Sequence, residues 1–260
     1  MSEISFPLPN ASTDLDGRVA LVTGATAGLG WRFALVLASA GAKVAIAGRR
    51  VARLESLAEL VDAAGGECLP VPLDITDDAA FGPALDRVAS EFGLVTILVN
   101  NAGIPDARRA HRMPTELVDA VLATNLRGPY LLACSVARRL IESGTPGRIV
   151  NISSMAAYHY DGIGAALYST TKAALNRMTE TLAVEWARYG INVNAIAPGV
   201  FLSEMTEAGI ERMGDPSPRF PRKRICDPAQ LDSTLLYLTG PASECVTGTI
   251  VKVDDGQFSR

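Results

Sequence analysis

The sequence is short of the residues that build metal sites and disulfide frameworks. Its four cysteines, Cys68, Cys134, Cys226 and Cys245, stand far apart with no C-x-x-C, and only His111 and His159 could join them as zinc ligands. Reduced, buried thiols and no metal site are expected. Basic excess is also missing: 24 Lys and Arg against 28 Asp and Glu leave a net charge of −4. No overall field therefore draws the chain onto nucleic acid or an anionic membrane, and the expected partner is a small molecule. No stretch approaches ~18 uninterrupted apolar residues, and residues 1–16 lack the charged start and apolar core of a secretion signal. A cytoplasmic protein is the expectation.

What is present is alternation. Apolar and β-branched runs at Val19–Thr23, Val44–Ala47, Cys68–Leu73, Ile97–Asn100, Arg148–Ile152, Asn192–Ala197 and Ile250–Val253 read as strands buried on both faces. Between them, Leu29–Ala40, Val51–Ala64, Ala79–Phe92, Thr115–Ser143, Ala165–Tyr189 and Ala229–Leu238 carry helical periodicity, with stops at Gly41, Gly65, Gly93, Gly144 and Gly190. This order predicts an α/β fold of the Rossmann type: one doubly wound, seven-stranded parallel sheet flanked by helices. Residues 1–16 read as a flexible N-terminal tail and 17–260 as a single domain. Residues 201–227, with Pro216, Pro218 and Pro221 and no clear strand, are too long for an ordinary connection and read as a substrate lid.

The first predicted strand runs into Thr23-Gly24-Ala25-Thr26-Ala27-Gly28-Leu29-Gly30 and then a helix. Glycines let backbone approach a pyrophosphate, and a helix start offers unpaired N–H groups and a positive dipole end. Three spaced glycines alone fit a plain tight turn equally well. Their place at the carboxyl end of the first strand of an open parallel sheet favours a dinucleotide. At the end of the second strand, where a carboxylate would hold the ribose hydroxyls of NAD, stand Gly48-Arg49-Arg50. Two guanidinium forks suit a 2′-phosphate, so NADP is the preferred cofactor with NAD possible; the alternative is a solvated helix start.

Within the long helix at 165–189, Tyr168 and Lys172 fall one turn apart on one face. A phenol titrating near pH ~10 is a poor acid or base at neutral pH, and a neighbouring ammonium favours its phenolate. With six tyrosines and four lysines, chance supplies a Y-x-x-x-K only about 0.1 times per chain.

Taken together, Thr23–Gly30, Asn100-Asn101-Ala102-Gly103, the strand Ile149–Ser154, Tyr168 with Lys172, and Pro198-Gly199 resemble, in order and spacing, the short-chain dehydrogenase/reductase family. The resemblance runs from Arg18 to Gly256 and is greatest to the subgroup of about 250 residues that includes 3-oxoacyl carrier-protein reductases. It implies an oxidoreductase that moves a hydride between NADP(H) and a ketone/secondary-alcohol pair. Tyr168 would be the general acid/base, Ser154 the holder of the substrate oxygen, Lys172 the binder of the nicotinamide ribose, and Asn125 the fourth member, holding a water that links the lysine to solvent. Ser153 is the rival to Ser154, which precedes Tyr168 by 14 positions where the family more often has 13. The implied cofactor cradle comprises Gly24, Thr26, Ala27, Gly28, Leu29, Gly30, Arg49, Arg50, Asp74, Ile75, Asn101, Ala102, Gly103, Tyr168, Lys172, Pro198, Gly199, Val200 and Ser203. Three positions depart from the family pattern: Ala27, where NADP-using relatives often carry a cation; Ser203, where threonine is commoner; and Asp254-Asp255-Gly256, in place of D-G-G.

The resemblance also implies a homotetramer built on the helices at 115–143 and 165–189. Met155, Tyr158, His159 and Tyr160 cluster ahead of Tyr168 in a chain with only 6% aromatic residues. They lead us to expect a substrate with an apolar or aromatic body rather than a small polyol, unless the rings pack on the lid or a neighbouring subunit. The basic lid residues Arg219, Arg222, Lys223 and Arg224 leave open a charged carrier. The competing function is a regulator that senses NADP without turning it over, which the retained Tyr168, Lys172, Ser154 and Asn125 disfavour.

Overall fold

The structure, a computed structural model, describes residues 9–160, 162 and 164–258. Of the expected tail, residues 1–8 lie outside the described residues, as do positions 161 and 163 of the loop before Tyr168. Leu15, read as part of that tail, is fully buried, and its N–H donates to Ala40 O at 2.7 Å, so the chain is anchored before the first strand.

The strands are β1 (Val19–Thr23), β2 (Lys43–Gly48), β3 (Glu67–Pro72), β4 (Ile97–Asn100), β5 (Gly147–Ile152), β6 (Ile191–Pro198) and β7 (Ile250–Val253). They pair in parallel as one sheet in the order β3-β2-β1-β4-β5-β6-β7. Every end lies within one residue of its expected position, because strands covered on both faces are near-continuous apolar runs. Pro70 and Pro72 are tolerated in β3 because it is an edge strand. The order reverses between β1 and β4, which opens a crevice at their carboxyl ends.

Alternate strand residues feed two cores. On one face Ala20, Val22 and Ile46 pack with helices α1 (Gly28–Ser39), α2 (Val51–Ala63) and α8 (Asp232–Thr239). On the other, Leu21, Leu98 and Ile149 pack with α3 (Phe81–Glu91), α5 (Gly128–Ser143) and α6 (Ala166–Trp186). No helix among the described residues is long and apolar enough to cross a membrane.

Two elements differ from expectation. The single helix expected at 115–143 is α4 (Thr115–Leu122) and α5 joined by a π-turn at Ala123–Arg127. Pro129 has no N–H to give the carbonyl four residues back, that of Asn125, and Gly128 lies where a Cβ would meet Ile75 O at 2.4 Å. The π-turn is only five residues long, too short to shift the apolar pattern visibly, so pattern alone does not reveal the break. The expected lid contains a helix, α7 (Glu204–Met213): Ser203 Oγ caps it by accepting the Thr206 N–H at 3.2 Å, and Gly214 ends it at φ 86°.

Candidate active site

The carboxyl ends of β1, β4, β5 and β6 open into a cavity of about 560 Å³. Of the residues expected at the site, Gly24, Thr26, Ala27, Gly28, Leu29, Arg49, Arg50, Asp74, Ile75, Asn101, Ala102, Gly103, Ser154, Tyr168, Lys172, Pro198, Gly199 and Ser203 all line it. Gly30, Asn125 and Val200 stand behind that lining.

The glycine turn divides its tasks. Gly28, at φ 54°, starts α1, whose N-cap Ala27 provides no side-chain cap and whose first turn holds no acidic residue. Unpaired N–H groups therefore face the cavity from an end that favours an anion, which fits a pyrophosphate. Gly30 serves packing instead: a Cβ there would meet Gly24 O and Asn101 Nδ2, both at 2.4 Å. The Asn101 amide donates to Thr23 O (3.0 Å) and Gly24 O (3.1 Å), tying β4 to the turn.

The two arginines have separate fates. Arg50 donates to Thr26 Oγ1 at 2.9 Å and pairs both terminal nitrogens with the Glu204 carboxylate at the start of α7. Arg49 is largely exposed, with Asp74 3.7 Å away. The Asp74 carboxyl is held below its usual range, first by the Thr76 N–H. Arg49 is thus the guanidinium best able to turn to a 2′-phosphate.

At the other end of the cavity, β5 delivers two serines. Ser153 is buried and its hydroxyl donates to Lys172 O at 3.2 Å. Ser154 Oγ accepts the Ala156 N–H at 3.1 Å and lines the cavity with the Tyr168 phenol. Lys172 Nζ donates to Ile152 O at 2.7 Å and lies 5.6 Å from the Tyr168 ring centre. One of the three ammonium protons is held by that carbonyl, leaving two to grip vicinal hydroxyls such as those of a ribose. Burial pushes the Lys172 ammonium down to about 8. It also pushes the Tyr168 phenol up, the Ser154 hydrogen bond pulls the other way, and the Asp106 carboxylate adds to the rise. Burial here outweighs the depression that a nearby ammonium was expected to give. Asn125, in the π-turn, accepts the Ile104 N–H at 2.8 Å and donates to Ile104 O at 2.9 Å, fixing the loop after β4 beneath the lysine.

The aromatic loop makes contacts of its own. His159 lies 5.4 Å from the Phe258 ring, and Lys252 Nζ sits 3.9 Å over Tyr158. Phe220 of the lid approaches Phe258 at 6.3 Å. Asp255 adopts a left-handed φ of 54° and its carboxylate pairs with Arg222 and Arg224 of the lid. The aspartate thus keeps the left-handed turn that glycine would take more easily, and its carboxylate ties those two lid arginines to the end of β7. Sequence reasoning missed Gln257, whose Oε1 accepts the Val200 N–H at 2.6 Å while its Nε2 donates to Val200 O at 3.2 Å. It also missed Glu204 and the buried run Asn100–Asn151–Thr179 that crosses from β4 through β5 to α6. No local signal marks these groups, since each finds its partner far along the chain. Among the described residues no group of three or more His, Cys, Asp or Glu is placed to hold a metal ion.

The model of one protein family, short chain dehydrogenase, matches residues 18–213. A 2-dehydro-3-deoxy-D-gluconate 5-dehydrogenase of Dickeya dadantii is 35% identical over 250 residues, covering 95% of this chain and 98% of its own. A 3-oxoacyl-acyl-carrier-protein reductase of Thermotoga maritima is 34% identical over 243 residues, with 93% and 98% covered. Among solved structures, a gluconate 5-dehydrogenase of Burkholderia cenocepacia in complex with NADP and tartrate superposes with a TM-score of 0.88 at 32% identity, over 96% of this chain and 98% of that one.

Proposed function

The chain belongs to the short-chain dehydrogenase family, and on that footing we propose that it interconverts a ketone and a secondary alcohol with NADP(H), using Tyr168 as general acid/base. The observation that carries this reading is the gathering of the Ser154 hydroxyl, the Tyr168 phenol and the buried Lys172 ammonium in one cavity with the uncapped start of α1. The cofactor, when bound, supplies or accepts the hydride. Ser154 Oγ accepts a backbone N–H and keeps its own proton to donate, so it can hold a substrate oxygen beside the phenol. In reduction the Tyr168 phenol gives its proton to that oxygen, and in oxidation its phenolate takes the proton back. Lys172 holds ribose hydroxyls and stabilises the phenolate through a low-dielectric contact.

Tyr168→Phe tests this: turnover of a ketone panel with NADPH should be abolished while NADPH affinity stays within about twofold, since the phenol oxygen moves a proton rather than holding the cofactor. Retained turnover refutes the reading. The substrate body has two readings. The rings of Phe220, Phe258 and His159 support an apolar or aromatic body. The relatives named for gluconate derivatives, together with the exposed Arg108, Arg109 and Arg112 after β4, favour a polyhydroxy acid. A kcat/KM series from aryl ketones to keto-acids decides between them. The exposed Tyr130 on α5 and Val184 on α6 support a homo-oligomer, which we take to be a tetramer.

A further inference from the structure

Helix α6 begins without a cap of its own. Its N-cap is Ala165, no side chain from that position bonds the first turn, and the turn holds no acidic residue. The first-turn N–H groups of Leu167 and Tyr168 are nevertheless partnered. Both donate to Oδ2 of Asp106, at 2.9 and 3.2 Å, from a residue more than sixty positions earlier in the chain. The other oxygen, Oδ1, accepts the Ala107 N–H at 2.8 Å. Asp106 is 2% exposed, so its carboxylate serves this helix end and not solvent.

The surrounding backbone is bent to allow this. Ala107 takes a left-handed φ of 48°, a conformation a residue with a side chain seldom adopts, and its carbonyl accepts from Arg212 of α7 at 3.3 Å. Gly164, just ahead of α6 at φ 84°, lies so close to this loop that a Cβ would come within 3.2 Å of the Arg108 carbonyl carbon. The loop after β4, the segment before α6 and the lid therefore meet around Asp106 and the two residues that follow it.

We propose that Asp106 is a positioning residue of the reaction: by capping α6 at the amide of Tyr168 itself, it fixes the height and direction of the phenol against Ser154. This rests on Tyr168 being the acid/base. A capping carboxylate holds a helix start by charge-assisted hydrogen bonds to N–H groups that have no intrahelical partner. Here one of those N–H groups belongs to the residue whose side chain must meet the substrate oxygen, so a loosened cap moves the phenol directly. The charge also acts on the phenol. The groups facing it are Asp106 from the β4 loop, the Lys172 ammonium from its own helix and the Ser154 hydroxyl from the end of β5. Among the described residues Asp106 is the one negative charge of these, and it opposes the phenolate.

The test compares Asp106→Asn, Asp106→Ala and Tyr168→Phe in the full-length protein with NADPH and a ketone substrate. Asp106→Asn keeps an oxygen for the helix N–H groups but removes the charge, so the pH limb of kcat assigned to Tyr168 should move about half a unit or more to lower pH. The same shift should appear without turnover, in ultraviolet difference titrations that subtract Tyr168→Phe from its parent in each background. Asp106→Ala removes the cap, so kcat should fall about tenfold or more with NADPH affinity unchanged, because small misplacements of a reacting group are costly. If Asp106→Asn leaves both the pH limb of kcat and the phenol titration where they are, or if a folded Asp106→Ala keeps the wild-type kcat, the proposal is overturned. If instead Tyr168→Phe keeps its turnover, the acid/base reading fails, which the difference titration separates from any failure at Asp106.

Discussion

Lys172 illustrates how a residue useful to the reaction burdens the fold. Its ammonium is 4% exposed and its folded-state value of about 8 lies below the ordinary 10.5. Below about pH 8 both folded and unfolded chains carry the proton, and the native state bears the full penalty, about 3 kcal/mol for a shift of this size. Between about 8 and 10.5 the unfolded chain binds more protons, so this group's contribution to stability rises with pH until the penalty is gone. Lys172→Met should therefore be inactive yet more stable than wild type at pH 7, with the gap closing toward pH 10 in denaturant titrations. A constant gap would show that burial does not set this lysine. The arginines make a second case. Arg49→Ala should raise KM for NADPH about tenfold and leave KM for NADH unmoved, the size of one lost charge-assisted hydrogen bond. Arg50→Ala should weaken both coenzymes alike, since that side chain holds Thr26 and Glu204. These paired residues were visible in the sequence because motif and spacing are local. Asp106 was not, because a lone aspartate in a loop gives no sign of the helix it caps.

The elements of the sheet were legible almost to the residue, since burial on both faces forces unbroken apolar runs. The breaks were less so. Neither the π-turn nor α7 alters the apolar pattern enough to be read, although Gly128-Pro129 and Ser203 each supply a local reason once the geometry is known. The π-turn has a use: it places the Asn125 amide against both the N–H and the C=O of Ile104. Asn125→Ala would leave two partly buried backbone groups of Ile104 without their partner and loosen the loop after β4. We expect a loss of about 2–4 kcal/mol by chemical denaturation, larger than a surface substitution produces. Gly128→Ala should also destabilise, because the new methyl would meet backbone at Ile75 rather than a side chain able to turn away.

Across the whole molecule, α5 and α6 leave Tyr130 44% and Val184 80% exposed on helices whose other faces are core. If this surface joins protomers, Val184→Arg should lower the mass seen by light scattering at micromolar concentration while the circular dichroism spectrum stays the same. A wild type that is monomeric under those conditions removes the oligomer from the reading. The sequence could not show how the far end of the chain serves the cavity, since Gln257 meets Val200, and Asp255 meets Arg222 and Arg224, only after folding. That clasp bears on synthesis. Strands β1 to β5 and the helices between them can pack while the polypeptide is still growing. The Val200 edge cannot be finished, nor the lid's basic segment held, until residues 255–257 have left the ribosome. A nascent chain stalled shortly before that point would hold a formed glycine turn and a formed Tyr168 helix, and it would still lack one wall of the cleft.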